Sequence, residues 1–201
     1  MKEAEIYFTV DRTGTAEFKD RGSKFIAYAI PLASTDEFKK QMELIKKEHP
    51  KASHYCFAYR VGVDKNTFRS SDDGEPSGTA GKPILGQIDS KQLTNVLVVV
   101  VRYFGGTLLG VPGLINASKS AAALVLQVTP VIQKNVEVPY TVQFDYTQMN
   151  EVMIVVKQFQ CSIIQQDMNL FCRLEIGIPA SRQVEAVYKL LEIQGVDLVK
   201  K

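Results

Sequence analysis

The sequence lacks several features that would point directly to a chemistry. It has no tryptophan, only two histidines and three cysteines, Cys56, Cys161 and Cys172. The cysteines are odd in number and show no C-x-x-C spacing, which argues against a disulfide framework and against a zinc site. We therefore expect reduced, mostly buried thiols.

Long apolar runs and a charge of one sign are also missing. No run approaches the length of a membrane span, and Met1–Glu5 lack the charged and apolar regions of a secretory signal, so a cytoplasmic protein without a membrane partner is expected. The 24 lysines and arginines nearly balance the 22 acidic residues, for a net charge of +2. Composition thus predicts no general affinity for nucleic acid, and any such contact needs a local cluster of cations.

Nucleotide-binding signatures are absent as well. Gly81-Lys82 is followed by Pro83 and lacks the earlier glycine that a Walker loop requires, and no G-x-G-x-x-G occurs. An ATPase or a dinucleotide enzyme is therefore not favoured, and no cofactor is predicted.

The most informative stretch that is present runs from Asp72 to Asn116, where glycines, carboxylates and cations surround one apolar segment. That segment, Val96–Val101, is six consecutive aliphatic residues, which is typical of a central strand covered on both faces. We expect a ligand or partner to meet the loops at the ends of this strand.

Hydrophobic periodicity predicts an α+β protein of two domains, residues 1–135 and 140–201. In the first domain the predicted strands are Ile6–Val10, Lys24–Pro31, His54–Val61 and Thr67–Ser70, and the predicted helices begin at Ser34 and at Pro112. Ser34 and Glu37 fit a capping box. Between Pro130 and Pro139 the hydrophobic periodicity is weaker, and this stretch is interpreted as the connection between the domains.

The second domain shows its own pattern. Its predicted order is strand Tyr140–Tyr146, helix Thr147–Phe159, strands Ser162–Gln166 and Leu170–Ile178, helix Ser181–Gln194 and strand Val196–Val199. This βαββαβ order is that of the ferredoxin-like sandwich. Because that fold hosts many functions, it does not assign one.

Two kinds of anion or metal chemistry fit the Asp72–Asn116 stretch. Arg102, Gly105, Gly106 and Gly110 precede a helix and suit a phosphate site, although the glycines also suit tight turns and close packing.

The acidic loop offers a second alternative. Asp72, Asp73 and Glu75 could hold a hard divalent ion with Lys82 or Arg102 as balancing cations, but their spacing is not that of a calcium loop. Acidic side chains that cap a turn are the alternative, and no metal site is assigned.

A nucleophilic mechanism has one candidate pair, His54 and Cys56. They lie two residues apart and so share one face of the predicted strand. A satisfied histidine beside a small buried thiol explains the same pattern without catalysis.

Several segments together resemble the IMPACT/YigZ family. They are His54-x-Cys56-x-Ala58-Tyr59-Arg60, the run Ser71 to Pro83, and Val101-Arg102-Tyr103-Phe104-Gly105-Gly106 followed by Leu109-Gly110 and Gly113-Leu114. The motifs are long and in the family's order, and they lie in the first two thirds of the chain.

This resemblance implies an N-terminal domain similar to the second domain of ribosomal protein S5 and a ferredoxin-like C-terminal domain similar to domains of elongation factor G. It also implies a translation-related or RNA-binding role, and the family offers no established catalytic residues to transfer. The predicted function is therefore a non-enzymatic regulator that contacts RNA, the ribosome or a translation factor through the glycine-rich cleft. A small phosphate- or metal-dependent enzyme and a pure protein-interaction module are the alternatives.

The residues predicted to bind the partner come from the three motifs. They are His54, Arg60, Asp72, Asp73, Glu75, Lys82, Arg102, Tyr103, Gly105, Gly106 and Gly110.

Overall fold

The computed structural model describes residues 5–201 and has a mixed α/β architecture in two compact units. One unit is Tyr7–Lys134, and the other is Asn135–Lys201 together with Glu5 and Ile6. No helix within residues 5–201 has both the length and the apolar character that crossing a membrane requires.

The first unit is built around a five-stranded sheet. Its elements are β1 (Ile6–Val10), β2 (Gly14–Asp20), β3 (Ser23–Pro31), α1 (Glu37–Glu48), β4 (His54–Val61), β5 (Thr67–Ser71), α2 (Gly81–Ser90), β6 (Val96–Tyr103), α3 (Gly110–Val128) and β7 (Val131–Asn135). The strand order is β2-β3-β6-β4-β5, with every neighbouring pair antiparallel. The aliphatic strand β6 is therefore the central one.

Strand β6 is buried on both faces, as its composition predicts. Val98 and Val100 pack into a core with α2 and α3, while Leu97 and Val99 pack into a second core with α1. Because successive side chains of a strand point to opposite faces, a continuous aliphatic run is what two covered faces require.

Asn95 lies just before β6 and fixes the position of the backbone where this strand begins. Its backbone is in the left-handed region, with φ of 53°. Its side-chain Oδ1 accepts a hydrogen bond from the Gly62 amide at 2.9 Å, and its carbonyl accepts from the Leu32 amide at 2.9 Å and the Thr9 hydroxyl at 3.0 Å. One asparagine thus joins three neighbouring segments at the start of the central strand.

The second unit has the βαββαβ element order predicted from the sequence. Its elements are β8 (Glu137–Asp145), α4 (Met149–Gln158), β9 (Ser162–Met168), β10 (Phe171–Pro179), α5 (Gln183–Leu191) and β11 (Asp197–Lys200). They form an antiparallel sheet in the order β11-β8-β10-β9. Val142 and Leu174 from the central strands pack against Val152 of α4 and Leu190 of α5, which gives this unit its own core.

Three predictions for the first unit need correction. Strand β2 was not predicted, because it lies at the edge of the sheet and its alternation is weak. Helix α1 begins at Glu37 with Asp36 as the capping residue, and no side-chain cap forms there within the described chain, so the Ser34–Glu37 capping box is wrong.

The third correction concerns the predicted connection between Pro130 and Pro139: the two compact units divide within it, between Lys134 and Asn135, but it contains a strand that its loosened pattern did not predict. Residues Val131–Asn135 form β7, which pairs with β1 in a two-stranded ribbon, and the Asp11 amide donates to the Pro130 carbonyl at 2.9 Å. Most of β7 is exposed, which explains why its hydrophobic pattern is loose.

Candidate functional site

A cleft of about 520 Å³ opens in the first unit where β6 ends and α3 begins. It is lined by Ser53, His54, Glu75, Pro76, Arg102, Phe104, Leu108, Leu109, Gly110, Val111 and Leu114. Four of the residues predicted to bind a partner are in this lining: His54, Glu75, Arg102 and Gly110. The other lining residues are mainly apolar, so the cleft combines a small polar group with a larger apolar wall.

A buried ion pair between Arg102 and Glu75 forms the polar part of the cleft. Arg102 Nη1 lies 2.5 Å from Glu75 Oε1, and the two side chains are 7% and 6% exposed. The guanidinium also contacts the rings of Phe25 and Phe104, with its Cζ 5.6 and 5.7 Å from their centroids. The positive charge of Arg102 is thus compensated by Glu75, one of the acidic-loop carboxylates that it was expected to balance.

The same arginine carries an unsatisfied group. Its Nε is buried and has no hydrogen-bond partner among residues 5–201. Buried donors without an acceptor are rare in native proteins because each one has lost water without a replacement. Arg102 therefore has one nitrogen paired with Glu75 and another that is buried without a partner.

His54 and Cys56 do not form a catalytic pair. His54 Nδ1 donates to the Asp73 carbonyl at 2.8 Å, and its Nε2 lies 3.7 Å from Glu75 Oε1. Cys56 is buried, and its Sγ donates to the Asp72 carbonyl at 3.0 Å. Burial above all, with the negative charge of Glu75 next, raises the pKa of Cys56 far above its ordinary value, so the sulfur stays a thiol.

Asp72 organises the loop before α2 through three backbone hydrogen bonds. Its Oδ1 accepts from the amides of Ala80 and Gly81 at 2.9 and 2.8 Å, and its Oδ2 accepts from the Gly78 amide at 2.8 Å. Burial acts to raise the pKa of Asp72, but these amides and the charge of Lys82 outweigh it and hold the pKa below its ordinary value. Asp72 thus closes the N-terminus of α2 from outside the helix.

The acidic loop does not gather its carboxylates into a metal site. Asp73 Oδ2 accepts from the Tyr55 amide at 2.7 Å, so Asp72, Asp73 and Glu75 serve three different sets of partners. Over the part of the chain that the structure describes, no three His, Cys, Asp or Glu side chains are placed to hold a metal ion. The turn-capping alternative fits this loop better than metal binding.

We expect Asp72→Ala to lower the free energy of unfolding at pH 7 by about 1–3 kcal/mol, because three partly buried hydrogen bonds from backbone donors lose their charged acceptor. The folded-state pKa is depressed, so the stabilisation is present above the ordinary pKa of 3.8 and is lost as pH falls through the folded value. Urea titrations of both proteins at neutral and strongly acidic pH measure this difference.

Asp36→Ala is the matched control for that measurement, because Asp36 precedes α1 but makes no capping bond within the described residues. It should change stability by no more than about 0.5 kcal/mol. An equal loss from both substitutions at pH 7, or a loss from Asp72→Ala that persists in acid, would contradict the role of the Asp72 carboxylate.

Two predicted cations lie away from the cleft. Arg60 Nη2 pairs with Asp89 Oδ1 at 2.6 Å, and its guanidinium stacks on the ring of Phe68 at 4.9 Å. Lys82 is exposed on the first turn of α2 and is not in the cleft lining. The structure therefore does not bring Arg60, Lys82 and Arg102 together as one cationic site.

Tyr103 points to the opposite face of the sheet from Arg102. Its hydroxyl is 2.9 Å from His49 Nδ1, while His49 Nε2 is 2.6 Å from the Tyr28 hydroxyl, which donates to Glu48 Oε1 at 2.7 Å. Because the single proton of Tyr28 goes to Glu48, His49 donates from Nε2 and accepts at Nδ1. Burial first, and Glu48 second, raises the pKa of Tyr28. This chain joins α1 to the sheet and is separate from the cleft.

The predicted glycines have local structural reasons. A Cβ on Gly105 would lie 1.9 Å from the carbonyl carbon of Gly22, so the two backbones approach too closely for any side chain. Gly106 and Gly110 have φ of 82° and 70°, in the left-handed region that favours glycine. The turn and packing explanation therefore holds for all three, and Gly110 also lines the cleft.

The sequence did not identify the exposed apolar residues at the mouth of the cleft. Phe104, Leu108 and Val111, which we call the apolar rim, are 50%, 83% and 51% exposed. Exposed apolar residues beside a concave site are typical of a binding surface. One feature of the sequence could have indicated this surface: Leu108 is an apolar residue in a glycine-rich loop, outside any predicted strand or helix that would bury it.

Comparisons with known proteins place these motifs in a wider group. The family model for the Impact N-terminal domain matches residues 21–126. The Escherichia coli protein named IMPACT family member YigZ is 34% identical over 172 residues, which cover 85% of this chain and 84% of that protein. The Bacillus subtilis IMPACT family member YvyE is 37% identical over 147 residues, covering 73% and 67%.

A solved structure described as a hypothetical protein is similar along almost the whole chain. It has a TM-score of 0.76 at 31% sequence identity, covering 98% of this chain and 97% of that one. The two proteins therefore share the mixed α/β architecture described above.

Proposed function

This chain belongs to the IMPACT family, and on that premise we propose that it is a translation-related regulatory protein that acts by binding a protein partner. The resemblance inferred from the motifs of the sequence is thereby confirmed. The link to translation comes from what membership of this family implies. The manner of action comes from the cleft.

The apolar rim above a compensated ion pair is the observation that carries the proposal. Among the described residues that line the cleft, Arg102 is the one lysine or arginine, and Glu75 balances its charge. Nucleic acids are held mainly through cations that meet their phosphates. Interfaces between proteins instead have an apolar centre in which a few anchor residues carry most of the affinity. The cleft therefore favours a translation factor or another protein over RNA.

The alternative of a phosphate- or metal-dependent enzyme has no observation in its favour. The carboxylates that would serve it hold backbone amides or Arg102, and the one candidate thiol is buried. A binding role, by contrast, requires only the apolar rim and the cleft that the structure describes.

We also propose the finer assignments that the family resemblance implies. The first part, residues 1–135, would be an independent domain with the fold of the second domain of ribosomal protein S5. The second, residues 140–201, would be a ferredoxin-like domain, which its strand order β11-β8-β10-β9 supports. A cytoplasmic location accords with a translation-related role.

Site-specific photocrosslinking in cells tests the partner class. A photoreactive residue at position 108, which is 83% exposed in the apolar rim, should capture a protein of the translation apparatus. The cross-linked species should resist ribonuclease and disappear on treatment with protease. Val184 in the second unit is 84% exposed and is a matched control position that should not capture the same protein.

A cross-link at position 108 that ribonuclease removes would show RNA at the cleft and contradict the proposal. Capture of the same protein from position 184 to the same extent would also contradict it, because the contact would then not be specific to the cleft.

A further inference from the structure

We infer that the second unit carries a contact surface for a second copy of this chain, formed by the outer side of helix α5. The inference does not depend on the proposed function, because the cleft lies in the first unit. It comes from three features of α5: a second apolar side, charges of both signs beside it, and the match between those charges and their own two-fold image.

Helix α5 is apolar on two sides. Its inner side packs into the core of the second unit through Ala186 and Leu190, which are fully buried. Its outer side carries Val184, Tyr188 and Leu191, which we call the outer stripe and which are 84%, 62% and 55% exposed. A surface helix of a globular protein ordinarily has one apolar stripe, and that stripe faces the core. The outer stripe is therefore left over after this unit has packed its own core.

The spacing of the outer stripe suits contact with another helix. Its positions are four and three residues apart, so the three side chains form one line along α5. Helix α4 packs beside α5 on the same face of the sheet, and its outer residue Ile154 is 63% exposed. Exposed apolar groups on one side of a unit are typical of an interaction surface. Because only a few side chains take part, we expect a reversible contact of modest affinity.

Charges of both signs lie along one side of the outer stripe. Glu185 and Lys189 are four residues apart and therefore adjacent on the helix surface. Lys189 Nζ pairs with Glu192 Oε2 at 2.7 Å, yet its side chain remains 49% exposed. Charges beside an apolar helix seam select the partner and its direction. A partner helix with charges of only one sign would meet a like charge at Glu185 or at Lys189.

A second copy of α5 in the antiparallel direction satisfies both charges. A two-fold axis between positions 187 and 188 places Val184 of one copy opposite Leu191 of the other, and Tyr188 beside its own image. Glu185 of one copy then lies within about one residue rise, ~1.5 Å along the helix axis, of Lys189 of the other. The symmetry forms this ion pair twice.

The parallel arrangement of the same two helices does not form these pairs. A two-fold axis along the helices brings the charged side of one copy against the opposite side of the other. That opposite side carries Gln183 and Val187, which have no charge. The charges of α5 therefore select the antiparallel copy.

Charge reversal with sedimentation equilibrium tests the second copy as the occupant. The purified full chain, studied up to its highest soluble concentration, should show a reversible monomer–dimer equilibrium. Glu185→Lys and Lys189→Glu each place like charges opposite each other twice, so each should weaken the dimer at least about tenfold. An equimolar mixture of the two variants restores opposite charges at both pairs. With a fluorophore on one variant, the mixture should show a heterodimer about as stable as the dimer of the unchanged protein.

Three further variants control for net charge and for the apolar contact. Glu43→Lys and Lys91→Glu make the same changes in net charge at exposed positions of the first unit, and each should dimerise as the unchanged protein does. Val184→Asp places an acidic residue in the first turn of α5, where the helix tolerates it. It should abolish the dimer without changing the circular dichroism spectrum.

A monomer at every concentration would overturn the inference and leave the outer stripe to a different helical partner. A dimer that neither charge reversal weakens, or a mixture of the two variants without heterodimer, would also overturn it. These measurements use the purified chain alone, whereas the test at position 108 captures a partner in cells. The inference and the proposed function can therefore fail separately.

Discussion

Arg102→Met is expected to lower the free energy of unfolding by about 3–5 kcal/mol, because it leaves the carboxylate of Glu75 buried without its cation. The Glu75 side chain is 6% exposed, so water cannot readily replace the lost partner. Urea denaturation at neutral pH, followed by circular dichroism, measures the difference. Because the substitution is expected to destabilise the fold, any loss of partner binding by this variant must be measured on the folded fraction of the protein.

The double variant Arg102→Met with Glu75→Met separates the cost of an unpaired charge from the cost of a changed shape. Replacing both members of a buried pair by apolar residues of similar volume is often nearly neutral, so the double variant should recover most of the stability. A single Arg102→Met variant as stable as the original protein would show that Glu75 is not confined as described. A double variant no more stable than the single one would assign the loss to packing instead.

Gly105→Ala is expected to be still more damaging, with a loss above about 4 kcal/mol or failure to fold. The added Cβ would lie 1.9 Å from the carbonyl carbon of Gly22, 2.1 Å from its oxygen and 2.2 Å from the amide nitrogen of Ser23. All three are backbone atoms where the chain turns into β3, and they cannot rotate aside as a side chain can. Thermal unfolding of the purified protein, or its absence from the soluble fraction, gives the result.

Two neighbouring glycines are controls for that substitution. Gly106 has a φ of 82° but open space where a Cβ would be, so Gly106→Ala should cost only about 1–2 kcal/mol. Gly86 lies inside α2 with nothing near its added Cβ, and Gly86→Ala should stabilise the protein by about 0.5–1 kcal/mol. Similar effects at positions 105 and 106 would show that backbone conformation, not the contact with Gly22, makes Gly105 necessary.

The elements that could be predicted from the sequence are those with the clearest runs of apolar side chains. Val96–Val101 indicated a covered central strand and His54–Val61 a strand, because both runs consist of residues that favour buried sheets. Strand β2 was missed because its side chains alternate between exposed and partly exposed positions at the edge of the sheet. The local sequence pattern thus predicts buried strands well and partly exposed edge strands poorly.

The candidate site was predictable as a set of segments but not as a set of contacts. The sequence identified the acidic loop and the end of β6, yet Glu75 and Arg102 are 27 residues apart, and Asp73 and the Tyr55 amide are 18 apart. Several pairings of the same charges were equally compatible with the sequence, because strand order decides which of them meet. The role of Leu108 was missed for a related reason, since its exposure depends on the path of a loop.

The ion pair in the cleft has a further consequence for how the chain finds a single fold. The side chains of β6 are almost interchangeable, so sliding this strand by two positions against β3 and β4 would keep each aliphatic residue on its own face. Apolar burial alone would hardly distinguish these alignments. In a shifted alignment Asn95 would leave the Gly62 amide, and Arg102 would move away from Glu75. The polar residues at the two ends of the strand therefore penalise misaligned states and leave one arrangement of the sheet favoured.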